Sequence, residues 1–404
     1  MATDRCSPEQ QDAVWVALRH GVSVLTGRPG AGKTTTIKTL VACAQALGWR
    51  VQIVAPTGKA ASRASAVAGV PASTVHRLLA HGPMDAPTPL AVDLLIVDEA
   101  SMCDLEVATW LMRAVSTECG TRVVWCGDAD QLPSVGCGQV LADMIASGVI
   151  PTTQLTTVFR QAASSPIIQN AHRLLDGDPL DLSRADGWCF EPLGDGSFPA
   201  DAVVLRAVQA LLDAGRPPRD IQVLAPMRRG ALGVDHLNRR LQQLLNPDGA
   251  LGPYVGGGSR VRVGDRVVAT RNMYDLPAPV YNGEQGVVVE ADRRGVMLVH
   301  FGDRVVTLSG VQCLMLRMAW AMTVHRAQGS EYPAVVFAYD HQAHRRMLDR
   351  RLLYTGITRA RDHLTLVGSR EAIVQTQQRV GTTRRYTTLA HHLSSLIPFV
   401  PRNS

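Results

Sequence analysis

The sequence has almost no lysine. Of its 41 basic residues only Lys33, Lys38 and Lys59 are lysines. It also lacks any apolar run near the ~20 residues of a membrane span. Its polar start, Met1-Ala2-Thr3-Asp4-Arg5, is not a secretory signal. A cytoplasmic protein without membrane contact is therefore expected. The eight cysteines never form Cys-x-x-Cys, and the twelve histidines never form His-Glu-x-x-His. Several cysteines sit in apolar runs, which points to buried free thiols, not to a zinc site or a disulfide framework. No tandem repeat is visible, which argues against a solenoid.

What is present begins with size and charge. A chain of 404 residues exceeds one comfortable core, so two or three domains are expected. Hydrophobic residues at 46% with 19% charged describe an ordinary globular protein, and a net charge of +6 is mild support for a polyanionic partner. Two of the three lysines fall inside motifs, the first of which organises the chain. Gly27-Arg28-Pro29-Gly30-Ala31-Gly32-Lys33-Thr34-Thr35 follows an apolar run, Val22 to Leu25, that reads as a strand. It precedes a helical run, Ile37 to Leu47, ending at Gly48. In that context the glycines let backbone N–H groups converge on phosphate oxygens. Lys33 would reach the β and γ phosphates and the Thr34 hydroxyl would hold Mg2+. A bound nucleoside triphosphate is expected.

Three more strand ends point polar groups at the same edge. Leu94-Leu95-Ile96-Val97 ends in Asp98-Glu99, of which Asp98 suits the Mg2+ shell and Glu99 suits polarising an attacking water. Arg122 to Cys126 ends in Gly127-Asp128-Ala129-Asp130-Gln131, where the glutamine suits the γ-phosphate or the water. Val51 to Ala55 ends in Pro56-Thr57-Gly58-Lys59; Thr57 reads equally as a phosphate contact or a plain N-cap. Ser73-Thr74-Val75-His76-Arg77 carries the same ambiguity. So does Gln10, which either closes a capping box with Ser7 or reads adenine through its amide.

Boundaries follow composition. Residues 1–150 read as a first α/β domain, with a proline-rich loop at 79–92. A second α/β domain is expected over 151–251 and 317–404. It contains helices Pro166 to Leu175, Asp201 to Ala214 and Val234 to Leu245, and strands Ile221 to Ala225, Ala334 to Tyr339 and His363 to Val367. Ala319 to Gly329 and Arg351 to Arg361 read as further helices. Asn246 to Gly258 reads as a Gly/Pro break. Short β-runs at Val261 to Thr270, Gly286 to Ala291, Val296 to Phe301 and Arg304 to Leu308 then form a small β insertion over 252–316.

Taken in order, these motifs, with Phe159-Arg160-Gln161, Thr323 to Tyr332 and Tyr354 to Arg361, resemble the superfamily-1 DNA helicases of the RecD-like branch. The resemblance implies two RecA-like P-loop domains with parallel sheets and a small β-barrel-like, SH3-like insertion in the second. It implies ATP and Mg2+ as ligands and 5′ to 3′ movement on single-stranded DNA. By position, Gln10 would read adenine, Gly27 to Thr35 would bind phosphate, and Glu331 would lie near the nucleotide sugar. Thr34 and Asp98 would hold the metal. Lys33, Glu99 and Gln131 would act on the γ-phosphate, with Arg160 and Arg359 reaching it from the second domain. Thr57, Lys59, Thr74, His76, Thr323 and His325 match the DNA track.

Two departures qualify the expectation. Few residues precede Gln10, where longer members carry a further domain, so that domain's contacts are expected to be absent or supplied by a partner such as another DNA-repair or replication protein. The 79–92 loop, where a strand-splitting hairpin would project, is short, so translocation is expected more firmly than unwinding. The alternative is a DNA-stimulated ATPase switch within a partner complex. A P-loop kinase would leave the Arg359 segment without a role. A monomer suffices for a two-domain closing mechanism.

Overall fold

The structure is a computed structural model and describes residues 6–79, 87–116, 120–157, 159, 163–194, 199–292, 294–345, 347–379 and 385–395. The chain divides into two compact units, Met1–Ser164 with Thr383–Ser404, and Ser165–Thr382.

The first unit is a parallel sheet of β1 (Val22–Gly27), β2 (Val51–Ala55), β3 (Ala72–Thr74), β4 (Leu94–Val97), β5 (Arg122–Gly127) and β6 (Thr152–Leu155). Their order is β3-β2-β4-β5-β1-β6. Helices α1 (Pro8–Arg19), α2 (Lys33–Ala46) and α3 (Gly58–Ala68) supply apolar residues to one face, and α4 (Val75–Leu79), α5 (Leu105–Ala114) and α6 (Val140–Ser147) to the other. Because both faces are covered, the central strands β4 and β5 are near-continuous apolar runs, whereas the edge strands β3 and β6 are largely polar. Leu94 and Ile96 face the first helix layer, and Leu95 and Val97 face the second.

The tail departs from the expected 317–404 grouping. From Thr383 the chain belongs with the first unit. The helix Leu389–Ser395 packs on α6, and Leu389 and Leu393 join the core around Trp125. The Thr387 hydroxyl donates to Asp143 Oδ2 at 2.8 Å, and the Ser394 hydroxyl to the Ser147 carbonyl at 3.0 Å.

The second unit has a parallel five-stranded sheet, ordered β16-β8-β17-β18-β7. The strands are β7 (Trp188–Pro192), β8 (Ile221–Ala225), β16 (Ala321–Thr323), β17 (Tyr332–Tyr339) and β18 (Ala360–Gly368). The expected helix Ala319 to Gly329 is replaced by β16 and one turn of helix, Val324–Ala327. Trp320, Ala321 and Met322 are buried, and pairing alongside Val223 to Ala225 makes Ala321–Thr323 an edge strand. The expected helix from Arg351 spans Arg350–Ile357, and Ala360 already begins β18.

Inserted before β16 is an antiparallel five-stranded sheet, ordered β14-β13-β12-β11-β15. It comprises β11 (Arg266–Ala269), β12 (Gln285–Ala291), β13 (Val296–Phe301), β14 (Arg304–Ser309) and β15 (Leu316–Met318). A hairpin of β9 (Leu251–Val255) and β10 (Ser259–Arg262) precedes it. The expected break at 246–258 therefore contains a strand despite Pro253, which a two-stranded hairpin tolerates because the prolyl nitrogen need not donate. The run expected from Val261 to Thr270 is interrupted at Gly264 (φ +94°) and Asp265. The insertion shares one core with the helices Ala200–Asp213 and Val234–Leu245.

Candidate active site

Residues that meet here come from neighbouring strand ends. Val97 pairs beside Trp125, and Cys126 and Gly127 beside Leu25 and Thr26, so the loops leaving β4, β5 and β1 share one edge. The phosphate loop leaves β1 at Gly27 and enters α2 at Lys33. Gly30 (φ +79°) and Gly32 (φ +82°) hold left-handed backbone, which glycine adopts without steric cost. A Cβ on Gly32 would come within 2.6 Å of both Gln10 Nε2 and the Phe159 ring. The Lys33 ammonium lies over the loop, donating to the Gly27 carbonyl and, at 3.4 Å, to that of Arg28. Thr34 and Thr35 are exposed in the first turn of α2.

Gln10 combines both readings that the sequence leaves open. Its Oε1 accepts from the Ser7 N–H at 3.0 Å and its N–H donates to Ser7 Oγ at 3.3 Å, which is the capping box. Its Nε2 meanwhile donates to the Gly32 carbonyl at 3.3 Å. The cap thus fixes the amide against the phosphate loop.

Asp98 and Glu99 leave β4 together. Asp98 Oδ1 accepts the Glu99 N–H at 3.0 Å. Burial, reinforced by the neighbouring Glu99 charge, pushes the Asp98 carboxyl up to about 6, against the opposing pull of Arg63 and Lys33. Glu99 has φ +52° and is the one non-glycine residue with positive φ among the described residues. Such backbone costs roughly 1–2 kcal/mol and persists where the surroundings hold it. Its Oε1 accepts from Arg63 Nη2 at 3.1 Å. In the loop after the neighbouring strand β5, Gln131 is buried, donating from Nε2 to Asp128 Oδ2 at 3.3 Å, while its Oε1 accepts from no donor among the described residues. A buried amide oxygen without a donor costs free energy unless something such as water supplies one.

The remaining expected residues are distributed as follows. Ala55 of β2 pairs with Thr74 of β3, so Thr57 and Thr74 leave adjacent strands of the same edge, on the side away from β1. Both hydroxyls cap helices, accepting from Ala60 N–H at 3.2 Å and Arg77 N–H at 3.1 Å. Lys59 lies in the first turn of α3, and His76 packs edge-on against Trp110 at 5.8 Å. Arg160 lies outside the described residues. In the second unit Thr323 ends β16, and burial lowers the pKa of His325, two residues on. Arg228, Arg317 and Arg326 line a cavity beside Thr323 with Asp235, which pairs with Arg317 at 3.2 Å and Arg228 at 3.7 Å. Arg359 is 3% exposed. It donates to the carbonyls of Thr355 at 3.0 Å and Ser330 at 3.2 Å and to Thr358 Oγ1 at 3.1 Å. Glu331 is exposed.

Two site residues carry no role in the sequence reading. Phe159 donates its N–H to the Gly30 carbonyl at 3.3 Å and covers Gly32. Arg63 meets Glu99 across 36 positions of chain, a separation that no local pattern encodes.

A glycine loop closed by a lysine, with an acid pair two strands away on the same sheet edge, defines the class: a P-loop nucleotide-binding α/β protein. Comparison narrows it. Residues 5–188 match the family described as AAA domain, 237–301 the ATP-dependent RecD-like DNA helicase SH3 domain, and 318–367 the UvrD-like helicase C-terminal domain. The ATP-dependent RecD2 DNA helicase of Deinococcus radiodurans is 43% identical over 371 residues, covering 91% of this chain and 49% of that protein. The RecBCD enzyme subunit RecD of Mycolicibacterium smegmatis is 34% identical, covering 89% of this chain and 71% of that protein. Two solved structures share the fold. The Bacteroides Pif1 helicase in complex with ADP-AlF3 and ssDNA has TM-score 0.54 at 18% identity, over 89% of this chain and 92% of that one. The Candida albicans Pif1 helicase has TM-score 0.52 at 19% identity, over 92% and 98%. The chain belongs to the RecD-like superfamily-1 DNA helicases.

Proposed function

We propose that the chain is an ATP-driven motor that moves 5′ to 3′ on single-stranded DNA and separates strands. The observation that carries this is one sheet edge with two occupants. The ends of β4, β5 and β1 carry phosphate-handling groups, and the adjoining ends of β2 and β3 carry Thr57, Lys59 and Thr74. The 5′ to 3′ direction is the part of this reading that the family resemblance alone supports.

In this reading the Gln10 amide takes the adenine edge, and Lys33 turns from the Gly27 carbonyl to the β and γ phosphates. Thr34 and Asp98 would hold Mg2+, which supplies charge neutralisation of the phosphate oxygens. The donor set fits, because a cation would offset both the burial and the neighbouring Glu99 charge that lift the Asp98 carboxyl. Glu99 takes a proton from water as the water oxygen attacks the γ-phosphorus and the bond to the bridging oxygen breaks. Gln131 Oε1, which accepts from no donor among the described residues, accepts from that water. By the family match, Arg160 and Arg359 would stabilise charge on the transferring group. For DNA, three arginines around the single carboxylate of Asp235 leave positive charge beside Thr323 and His325. Such contacts are to phosphate, and they give salt-dependent, sequence-tolerant binding.

The shortness of the 79–92 loop favours a second reading, a DNA-stimulated ATPase switch within a partner complex. The test is ATP hydrolysis with and without single-stranded DNA, in the wild type, Lys33→Ala and Glu99→Gln, followed by unwinding of forks with a 5′ or a 3′ tail. Stimulation lost in both variants, with unwinding from the 5′ tail, supports the motor. Stimulation without unwinding supports the switch, and hydrolysis indifferent to DNA overturns both.

A further inference from the structure

The ion pair between Arg63 and Glu99 joins two parts of the first unit that the proposed reaction uses separately. Arg63 Nη2 lies 3.1 Å from Glu99 Oε1, and their side chains are 32% and 10% exposed. Arg63 stands on α3, whose first turn follows Thr57 and contains Lys59. Lys59 and Arg63 are four residues apart on a helix, so they share a face. At the other end of the pair, Glu99 holds left-handed backbone fixed by the β4 turn, so its carboxylate is redirected through its side chain and its partner. A carboxylate oxygen that accepts from a guanidinium is occupied, and it can accept from water only once the pair opens.

We propose that Arg63 is a DNA-responsive latch on Glu99. The proposal rests on reading Glu99 as the general base and the start of α3 as a DNA contact. With the latch closed, Glu99 faces Arg63 and hydrolysis without DNA is slow. A DNA phosphate held at Thr57 and Lys59 shifts the start of α3, opens the pair and frees Glu99 for water. Opening the pair draws on DNA-binding free energy; if only the open state both hydrolyses ATP and binds DNA, removing the latch raises the basal rate and the DNA affinity by the same change in open-state population.

The test compares wild type, Arg63→Ala, Arg63→Lys, Glu99→Gln and the Arg63→Ala/Glu99→Gln double variant. It measures steady-state ATP hydrolysis with and without saturating oligo-deoxythymidylate, the affinity for that oligonucleotide, and thermal midpoints as a folding control. Arg63→Ala is expected to raise DNA-free kcat roughly two- to fivefold, the rate equivalent of an ion pair of this exposure. The DNA-saturated kcat should stay within about twofold of wild type, while DNA binding tightens by a similar two- to fivefold. Arg63→Lys, which keeps the charge but loses the planar fork, should fall between. The double variant should be as slow as Glu99→Gln. Weaker DNA binding in Arg63→Ala would make Arg63 a direct DNA contact and overturn the latch. A parallel fall in both rates would make it a supporting residue and overturn it as well. Wild-type hydrolysis by Glu99→Gln would instead overturn the base assignment beneath the proposal, a result independent of Arg63.

Discussion

The Arg385 guanidinium is bound to Ser134, 251 positions earlier, by Nη2 donating to the backbone carbonyl at 2.5 Å and Nη1 reaching Oγ at 3.3 Å. Nη1 also donates to the carbonyls of Gly136 and Gly138, at 2.7 and 2.5 Å. These carbonyls belong to the loop between Gln131 and α6, so the returning tail closes the segment that positions Gln131. Arg385→Ala leaves several carbonyls of a tight loop without a charged donor. A loss of about 1.5–3 kcal/mol in the stability of the first unit is expected. Urea unfolding followed by tryptophan fluorescence, with Trp15, Trp49, Trp110 and Trp125 in that unit, checks it.

Gly32→Ala should remove nucleotide binding more than stability. The new Cβ meets Gln10 Nε2 and the Phe159 ring at 2.6 Å, and both side chains can move. The left-handed backbone costs roughly 1–2 kcal/mol for alanine. The displaced Gln10 amide and the loop lose their nucleotide geometry. Wild-type protein is expected to gain thermal midpoint with a non-hydrolysable ATP analogue, and Gly32→Ala to gain none.

Much of this was legible in the sequence where periodicity and local chemistry act alone. Ile221–Ala225, Val234–Leu245 and Val296–Phe301 have the bounds their patterns predict, because strand alternation and helical spacing are set within each segment. The phosphate loop and the Asp98-Glu99 strand end were legible for the same reason. What was not legible depends on distant partners. Ala321–Thr323 has helix-compatible composition and becomes a strand by lying alongside β8. Leu251–Val255 contains Pro253 and is a strand because β10 pairs with it. The tail after Thr383 looks like a continuation of the second domain, yet Arg385, Thr387 and Leu389 find their partners in the first. Arg63 is an ordinary helix-surface arginine until Glu99 is placed beside it.

Asp265 joins the β insertion to the rest of the second unit. The buried carboxylate accepts from Asn246 Nδ2 at 2.8 Å and Trp320 Nε1 at 3.2 Å on one oxygen. The other accepts from the Arg262 N–H at 2.7 Å and Gln242 Nε2 at 2.5 Å. Asp265→Ala removes the acceptor of four donors, leaving the buried Trp320 indole N–H without its partner, while Gln242 and Asn246 keep backbone carbonyls. A loss on the order of 3 kcal/mol or more is expected, because each unsatisfied buried group costs about 1–3 kcal/mol and some relax to water. Denaturant titration followed through Trp320, which loses its indole partner, reports it.

Asp98 gives the protein a pH signature whose sign differs with and without nucleotide. Its carboxyl lies near 6 in the folded, ligand-free chain, raised by burial and by Glu99, whereas an unfolded aspartate titrates near ~4. The folded state therefore binds the extra proton between those values. The stabilisation from protonated Asp98 is fully present below about 4 and is lost as pH rises through about 6. Mg2+ needs the carboxylate, so the added stabilisation from Mg2+ and an ATP analogue should run the other way, growing as pH rises through about 6. Thermal midpoints from pH 4.5 to 8, with and without the ligands, should show two opposed slopes in wild type. Asp98→Asn should flatten both, because its side chain has no proton to exchange over this range. A ligand-dependent slope that survives in Asp98→Asn would assign the Mg2+ carboxylate elsewhere, with Glu99 the next residue to substitute.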